Sequence, residues 1–230
     1  MSDISVRSAA VKHGRLRLAI FENLNGESLA EQAYRTLERL IVTLVLEPTM
    51  VVNERALIEL TGMGRTPVRE AIQRLAWEGL LEVRPRSGIA ITPLDPQDFG
   101  KVLDAREGVE QILARDAARF AGSRDRERLE ATADAMRRAA RDNDVGQFLD
   151  ADKALDAVMG HAAANPFAAR LAAPLQTHSR RFWFRLKHDD GIAASTEAHI
   201  AMIDAILARA PEEAMSAAAG LIHHLRTLMQ

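Results

Sequence analysis

The stretch Gly62–Leu75, GMGRTPVREAIQRL, decides how this chain is read, because a turn, a helix start and two solvent-side arginines share one frame. Pro67 suits the first helical position, where its missing N–H has no partner to lose, and that makes Thr66 the expected N-cap. Beyond it Val68, Ala71, Ile72 and Leu75 recur at helical spacing. Arg65, Arg69 and Gln73 step along the neighbouring face at intervals of four. One side of this helix packs and the other reaches outward.

Upstream, Ser28 followed by Glu31 is a capping box, and the helix it opens carries Leu29, Ala33, Leu37, Leu40, Ile41 and Leu44 on one face before Pro48 stops it. Asn53 then caps a short helix from Glu54 to about Thr61, which Gly62 ends. Helix, short turn, helix is the outline of a helix-turn-helix. Downstream, Leu81-Glu82-Val83-Arg84 and Ile89-Ala90-Ile91-Thr92 alternate around the turn chemistry of Pro85-Arg86-Ser87-Gly88, which predicts a small β-hairpin, or wing.

Pro93-Leu94-Asp95-Pro96 breaks the pattern, so the reading is of three parts: an N-terminal arm over 1–26, a winged helix-turn-helix over 27–93 and an all-helical domain over 94–230. The last part is rich in Ala, Leu, Arg and Glu and lacks any long strand-like alternation. Ser123, Asp144 with Gln147, Asn165-Pro166 and Ala210-Pro211 mark helix starts, which gives a bundle of six or seven helices and a mainly α chain.

With 230 residues and 47% hydrophobic composition, the chain has enough material for two modest cores. It has no cysteine, which excludes disulfide scaffolds, thiolate metal sites and cysteine nucleophiles. No apolar run approaches the roughly 18 residues of a membrane span, and a soluble, cytoplasmic protein is the expectation. Arg7, Lys12, Arg15 and Arg17 make the arm basic, but Leu18–Phe21 is too short for a signal-peptide core. The net charge of −2 argues against a protein that coats nucleic acid indiscriminately, so any DNA affinity comes from a local surface.

That surface is readable. An arginine near the start of a recognition helix bonds O6 and N7 of guanine together, a pair worth roughly 1–3 kcal/mol of discrimination. Arg65 and Arg69 are the candidates, with Arg55 suited to the phosphate backbone and Arg86 and Gly88 placed at the wing tip. The segments SLAEQAYRTLERLI, NERALIELTGMGRTPVREAIQRLAWEGLLEV and RPRSGIAIT resemble the winged-helix domain of GntR-family transcription regulators. In that family the matching positions contact operator DNA, which implies such roles for Arg55, Arg65, Thr66, Arg69 and Gly88. Two departures stand out: Gly64, where many members have a hydroxyl residue, and Pro48-Thr49, where Pro-Gly is common.

LDAREGVEQILARDAARFA, DADKALDAVMGHAAANP and EAHIAMIDAI resemble the all-helical ligand-binding (FCD) domain of the FadR-like branch. Many such domains hold a divalent metal with an Asp and a His four residues apart and a His on each of two later helices. The resemblance assigns these places to Asp152, Asp156, His199 and His224, with His223 a rival for the last and aspartate standing where the first histidine is expected. Zn²⁺, Mn²⁺ or Mg²⁺ suit such donors, and so does hydrogen bonding without any metal. Arg106 and Arg181 are the candidate partners of an effector carboxylate, with Arg185 beside them and His161 and His178 read as structural.

The leading function is therefore a homodimeric transcription regulator, a repressor that binds double-stranded operator DNA and answers to a small carboxylate. A metal-dependent enzyme built on the helical domain and an architectural DNA-binding protein are the alternatives. Against the enzyme, the chain has no His-Glu-x-x-His, no Gly-x-Ser-x-Gly and no phosphate-binding glycine loop.

Overall fold

Ser28 opens the first helix of a computed structural model that describes residues 27–187 and 191–229. The arm expected over 1–26 lies outside the described residues. The chain divides into two units between Leu94 and Asp95. The first runs α1 (Leu29–Val42), β1 (Val51–Val52), α2 (Glu54–Thr61), α3 (Arg65–Trp77), β2 (Leu81–Arg84) and β3 (Gly88–Ile91). Ser28 Oγ accepts from the Glu31 N–H at 3.2 Å and Asn53 Oδ1 from the Ala56 N–H at 2.8 Å, each satisfying a donor that the helix itself leaves open. Gly62, at φ 66°, closes α2 in the left-handed conformation.

The start of α3 differs from expectation. Its first helical residue is Arg65, and the cap is Gly64 in extended conformation, with no side-chain bond. Thr66 is thus inside the helix rather than its N-cap. Pro67 still falls in the first turn, where N–H groups have no intrahelical partner, so the helix tolerates it. The face of α1 is also shorter than its spacing implied: Leu29 is exposed and Leu44 lies beyond the helix at φ 57°. Ala33, Leu37, Leu40 and Ile41 pack instead with Leu57, Val68, Leu75 and Leu80 to form the core.

The hairpin of β2 and β3 has the register Leu81↔Ile91 and Arg84↔Gly88. A third strand, β1, was not expected, because two residues are too few to show alternation. It pairs Val51 with Ala90 and Val52 with Ile89, giving an antiparallel sheet in the order β1-β3-β2.

Among its described residues the second unit has six helices: α4 (Pro96–Phe120), α5 (Ser123–Asp142), α6 (Val145–Ala162), α7 (Pro166–Leu186), α8 (Gly191–Leu207) and α9 (Pro211–Thr227). Asp95, Asp144 and Asn165 cap α4, α6 and α7 through side-chain oxygens. Ser123 does not cap α5. Gly122 holds that place, and Asp125 reaches back to accept its N–H at 3.2 Å. Long α4 packs on α7 and α9, and Phe99 stacks on Phe182 at 5.0 Å between centroids. Among the described residues no helix is long and apolar enough to cross a membrane.

Candidate nucleic-acid interface and ligand site

The first two turns of α3 project Arg65 and Arg69, whose side chains are 68% and 53% exposed. Glu54, at the start of α2, accepts from the Nε of each at 2.7 Å. These bonds, that of Arg69 foremost, hold its carboxyl below the usual range. At an exposed site such pairs contribute little to stability. Their effect is geometric: two guanidinium groups stand side by side over one carboxylate. Arg55, 88% exposed, meets Glu59 at 3.0 Å, and Thr66 is exposed on the same first turn of α3.

Arg86 is exposed at the hairpin tip with φ 64°, and the Ser87 N–H closes that turn on the Arg84 carbonyl. Gly88 has φ 99°, and a Cβ there would lie 2.7 Å from the Val52 carbonyl oxygen. Glycine is therefore required by the sheet itself, since β1 passes too close for any side chain.

The second unit buries a charged cluster. Arg106 on α4 donates Nε to Glu110 Oε2 at 2.8 Å and Nη1 to Ser179 Oγ at 3.0 Å. From α7, Arg180 contacts Asp156 Oδ2 with Nη1, lies 3.4 Å from Asp152 Oδ2 with the same nitrogen, and donates Nη2 to Thr177 Oγ1 at 3.1 Å. His199 Nε2 is 2.9 Å from Asp152 Oδ1, and its Nδ1 is 2.6 Å from the Ser195 carbonyl oxygen. Trp183 Nε1 donates to Ser195 Oγ at 2.8 Å, which leaves the hydroxyl proton for His224 Nε2 at 3.1 Å.

Burial works against the charge on Asp152, but the His199 hydrogen bond and the charges of His199, Arg180 and Arg106 outweigh it and hold the carboxyl far below its usual range. Burial likewise opposes a charged His199, and Asp152 more than compensates, raising the imidazole. Burial raises Asp156, against the pull of Arg180, and Asp152 and Glu110 push the same way. His224 is lowered by burial and by neighbouring His199 and His223. Arg106, Asp152, Ser179, Arg180 and His199 line a cavity with Phe148, Leu149, Trp183 and Leu225. Its free space is ≈ 20 Å³, room for roughly one water, so a metabolite enters only if the lining moves.

Two family models match the chain: bacterial regulatory proteins of the gntR family over residues 29–91, and the FCD domain over residues 101–226. The chain belongs to the gntR family. Relatives agree. A probable D-xylose utilization operon transcriptional repressor of Paenarthrobacter nicotinovorans is 29% identical over 174 residues, 76% of this chain and 75% of that protein. The HTH-type transcriptional repressor RspR of Escherichia coli (strain K12) is 32% identical over 88 residues, 38% of this chain and 39% of its own. A regulator in an unstable DNA locus of Streptomyces ambofaciens is 36% identical over 86 residues, where the match spans only 36% of its length. The solved structure titled E. coli McbR/YncC has the same fold, with TM-score 0.76, 18% identity and coverage of 88% of this chain and 97% of that one.

The FCD unit does not suit the metal that its family resemblance implied. Both ring nitrogens of His199 lie against oxygen atoms, Asp152 Oδ1 and the Ser195 carbonyl, and are engaged there. Asp156 faces Arg180, and His224 faces the Ser195 hydroxyl while His223 points to solvent. Among the described residues no group of three or more His, Asp or Glu side chains is arranged to hold a metal ion.

Of the two expected effector arginines, Arg106 lines the cavity and Arg181 does not; Arg181 is fully buried elsewhere on α7, where burial lowers it to about 10. Arg185 is exposed, and His161 pairs with Asp125 at 2.8 Å. Arg180 was not among the expected site residues; its cue in the sequence is the second aspartate of α6, since a buried carboxylate that stays charged needs a cation, and spacing alone does not separate Arg180 from Arg181.

Proposed function

We propose that this chain is a homodimeric, sequence-specific DNA-binding repressor whose operator affinity is set by a small carboxylate in the FCD unit. The observation that carries it is the Arg65–Glu54–Arg69 arrangement, two exposed guanidinium groups fixed at the N-terminal end of a recognition helix. Such a pair presents donor forks to guanine edges in the major groove with part of its ordering cost already met before DNA arrives. Arg55 and Thr66 meet flanking phosphates, and Arg86 and Gly88 bring the wing to the adjoining groove. Repression agrees with the names of two relatives, and the gntR family assignment sets the enzyme alternative aside.

In the FCD unit, Arg106 is the group to receive an effector carboxylate, with Phe148, Leu149 and Leu225 against its apolar body. A dimer is supported by the family and by large apolar side chains left exposed on α4 and α7, Phe120, Phe167 and Leu171 among them. Selection of bound duplexes from a random library, followed by gel shifts, tests the reading. Wild type enriches a near-palindromic sequence, and Arg65→Ala loses that preference while remaining dimeric by light scattering. No enrichment, or wild-type operator affinity in Arg65→Ala, refutes it.

A further inference from the structure

Asp152 and Asp156 lie one turn apart on α6, both side chains below 10% exposed. Two buried carboxylates one turn apart stay charged together only beside a counter-cation, since an uncompensated buried carboxylate is strongly destabilising. Asp152 is served twice, by His199 on one oxygen and Arg180 on the other. Asp156 has Arg180, whose second terminal nitrogen is anchored on Thr177. The guanidinium thus lies between the two carboxylates, on a side chain that α7 holds from behind. It delivers a fixed, dehydrated positive charge and directional N–H donors where a small cation would otherwise be needed.

We propose that Arg180 is the resident cation of this site, so that the second unit holds its buried aspartate pair without a divalent metal. Two consequences follow from the geometry. First, a Zn²⁺ or Mn²⁺ ion has to displace Arg180 before it meets both aspartates, so neither binds the folded chain tightly. Second, removal of the guanidinium leaves the pair unbalanced whether or not the chain meets its effector or DNA.

The test uses the full-length protein purified without chelator. Elemental analysis finds far less than one divalent metal per chain, calorimetric titration with ZnCl₂ and MnCl₂ gives no stoichiometric binding at micromolar metal, and EDTA leaves the Tm unchanged. Arg180→Gln lowers the Tm by roughly 6–20 °C, and Arg180→Lys, which keeps the charge, recovers part of that loss. One metal per chain in the wild type, or a Tm that falls with EDTA, overturns the proposal. So does a wild-type Tm in Arg180→Gln. Should Arg180→Gln fail to fold, metal content and the EDTA response of the wild type still decide. These readouts are independent of operator binding, so failure of the repressor reading is seen separately.

Discussion

Glu54 ties the start of α2 to the first two turns of α3. Its carboxylate accepts from Nε of Arg65 and of Arg69, and it carries a negative charge into the surface proposed to meet phosphates. Replacing it with glutamine removes that charge and loosens the fork. Glu54→Gln is expected to bind random DNA more tightly while discriminating the operator less well, a narrower ratio read from gel shifts on both duplexes. Its folding stability should change little, because the pairs are exposed.

Two backbone positions make stronger statements. Thr49 has φ 68°, a conformation that costs a β-branched residue of order 1–3 kcal/mol, at the place where the family resemblance implies glycine. Thr49→Gly is therefore expected to raise the urea midpoint, the gain being trimmed by glycine's greater freedom when unfolded. Gly88→Ala runs the other way: its Cβ would stand 2.7 Å from the Val52 carbonyl oxygen, and the shift this forces should cost at least about 1–3 kcal/mol in the same measurement.

Among the elements, helix starts were the most readable feature where a side-chain oxygen does the capping. Ser28, Asn53, Asp144 and Asn165 all make the bond that their position implied. The two misplaced starts, at Thr66 and Ser123, have a shared cause. In each a glycine sits just upstream, and its extended backbone serves as cap without any hydroxyl. A Ser or Thr after a glycine then looks like the cap when it is the helix's first or second residue. Asn53→Ala removes a real cap from the eight-residue α2 and should cost about 1 kcal/mol, measured by urea unfolding. Strand β1 escaped notice because its two residues carry no pattern of their own and exist as a strand only through β3.

At the scale of the molecule, charge distribution separates a specific regulator from a general DNA coat. The chain is slightly acidic at −2, and its candidate cationic contacts among the described residues are Arg55, Arg65, Arg69 and Arg86. If each neutralises at most one phosphate in each of two copies, log K against log salt should fall with a slope no steeper than about −7. A steeper slope, equal on operator and random duplex, would mean a broader basic surface than these arginines supply.

What the sequence determined by itself was everything encoded by local spacing: the helices and most of their caps, the hairpin and the arginines at the start of α3. Periodicity and capping act within a few residues, so one strand of text carries them. What only the tertiary structure decided was pairing between distant segments. Glu54 meets Arg65 and Arg69 across a turn, Val52 excludes any side chain at Gly88, and Arg180 of α7 rather than Arg181 reaches the aspartates of α6. A helix turns by about 100° per residue, so adjacent arginines point to different neighbours, and only packing selects the one that faces a buried charge.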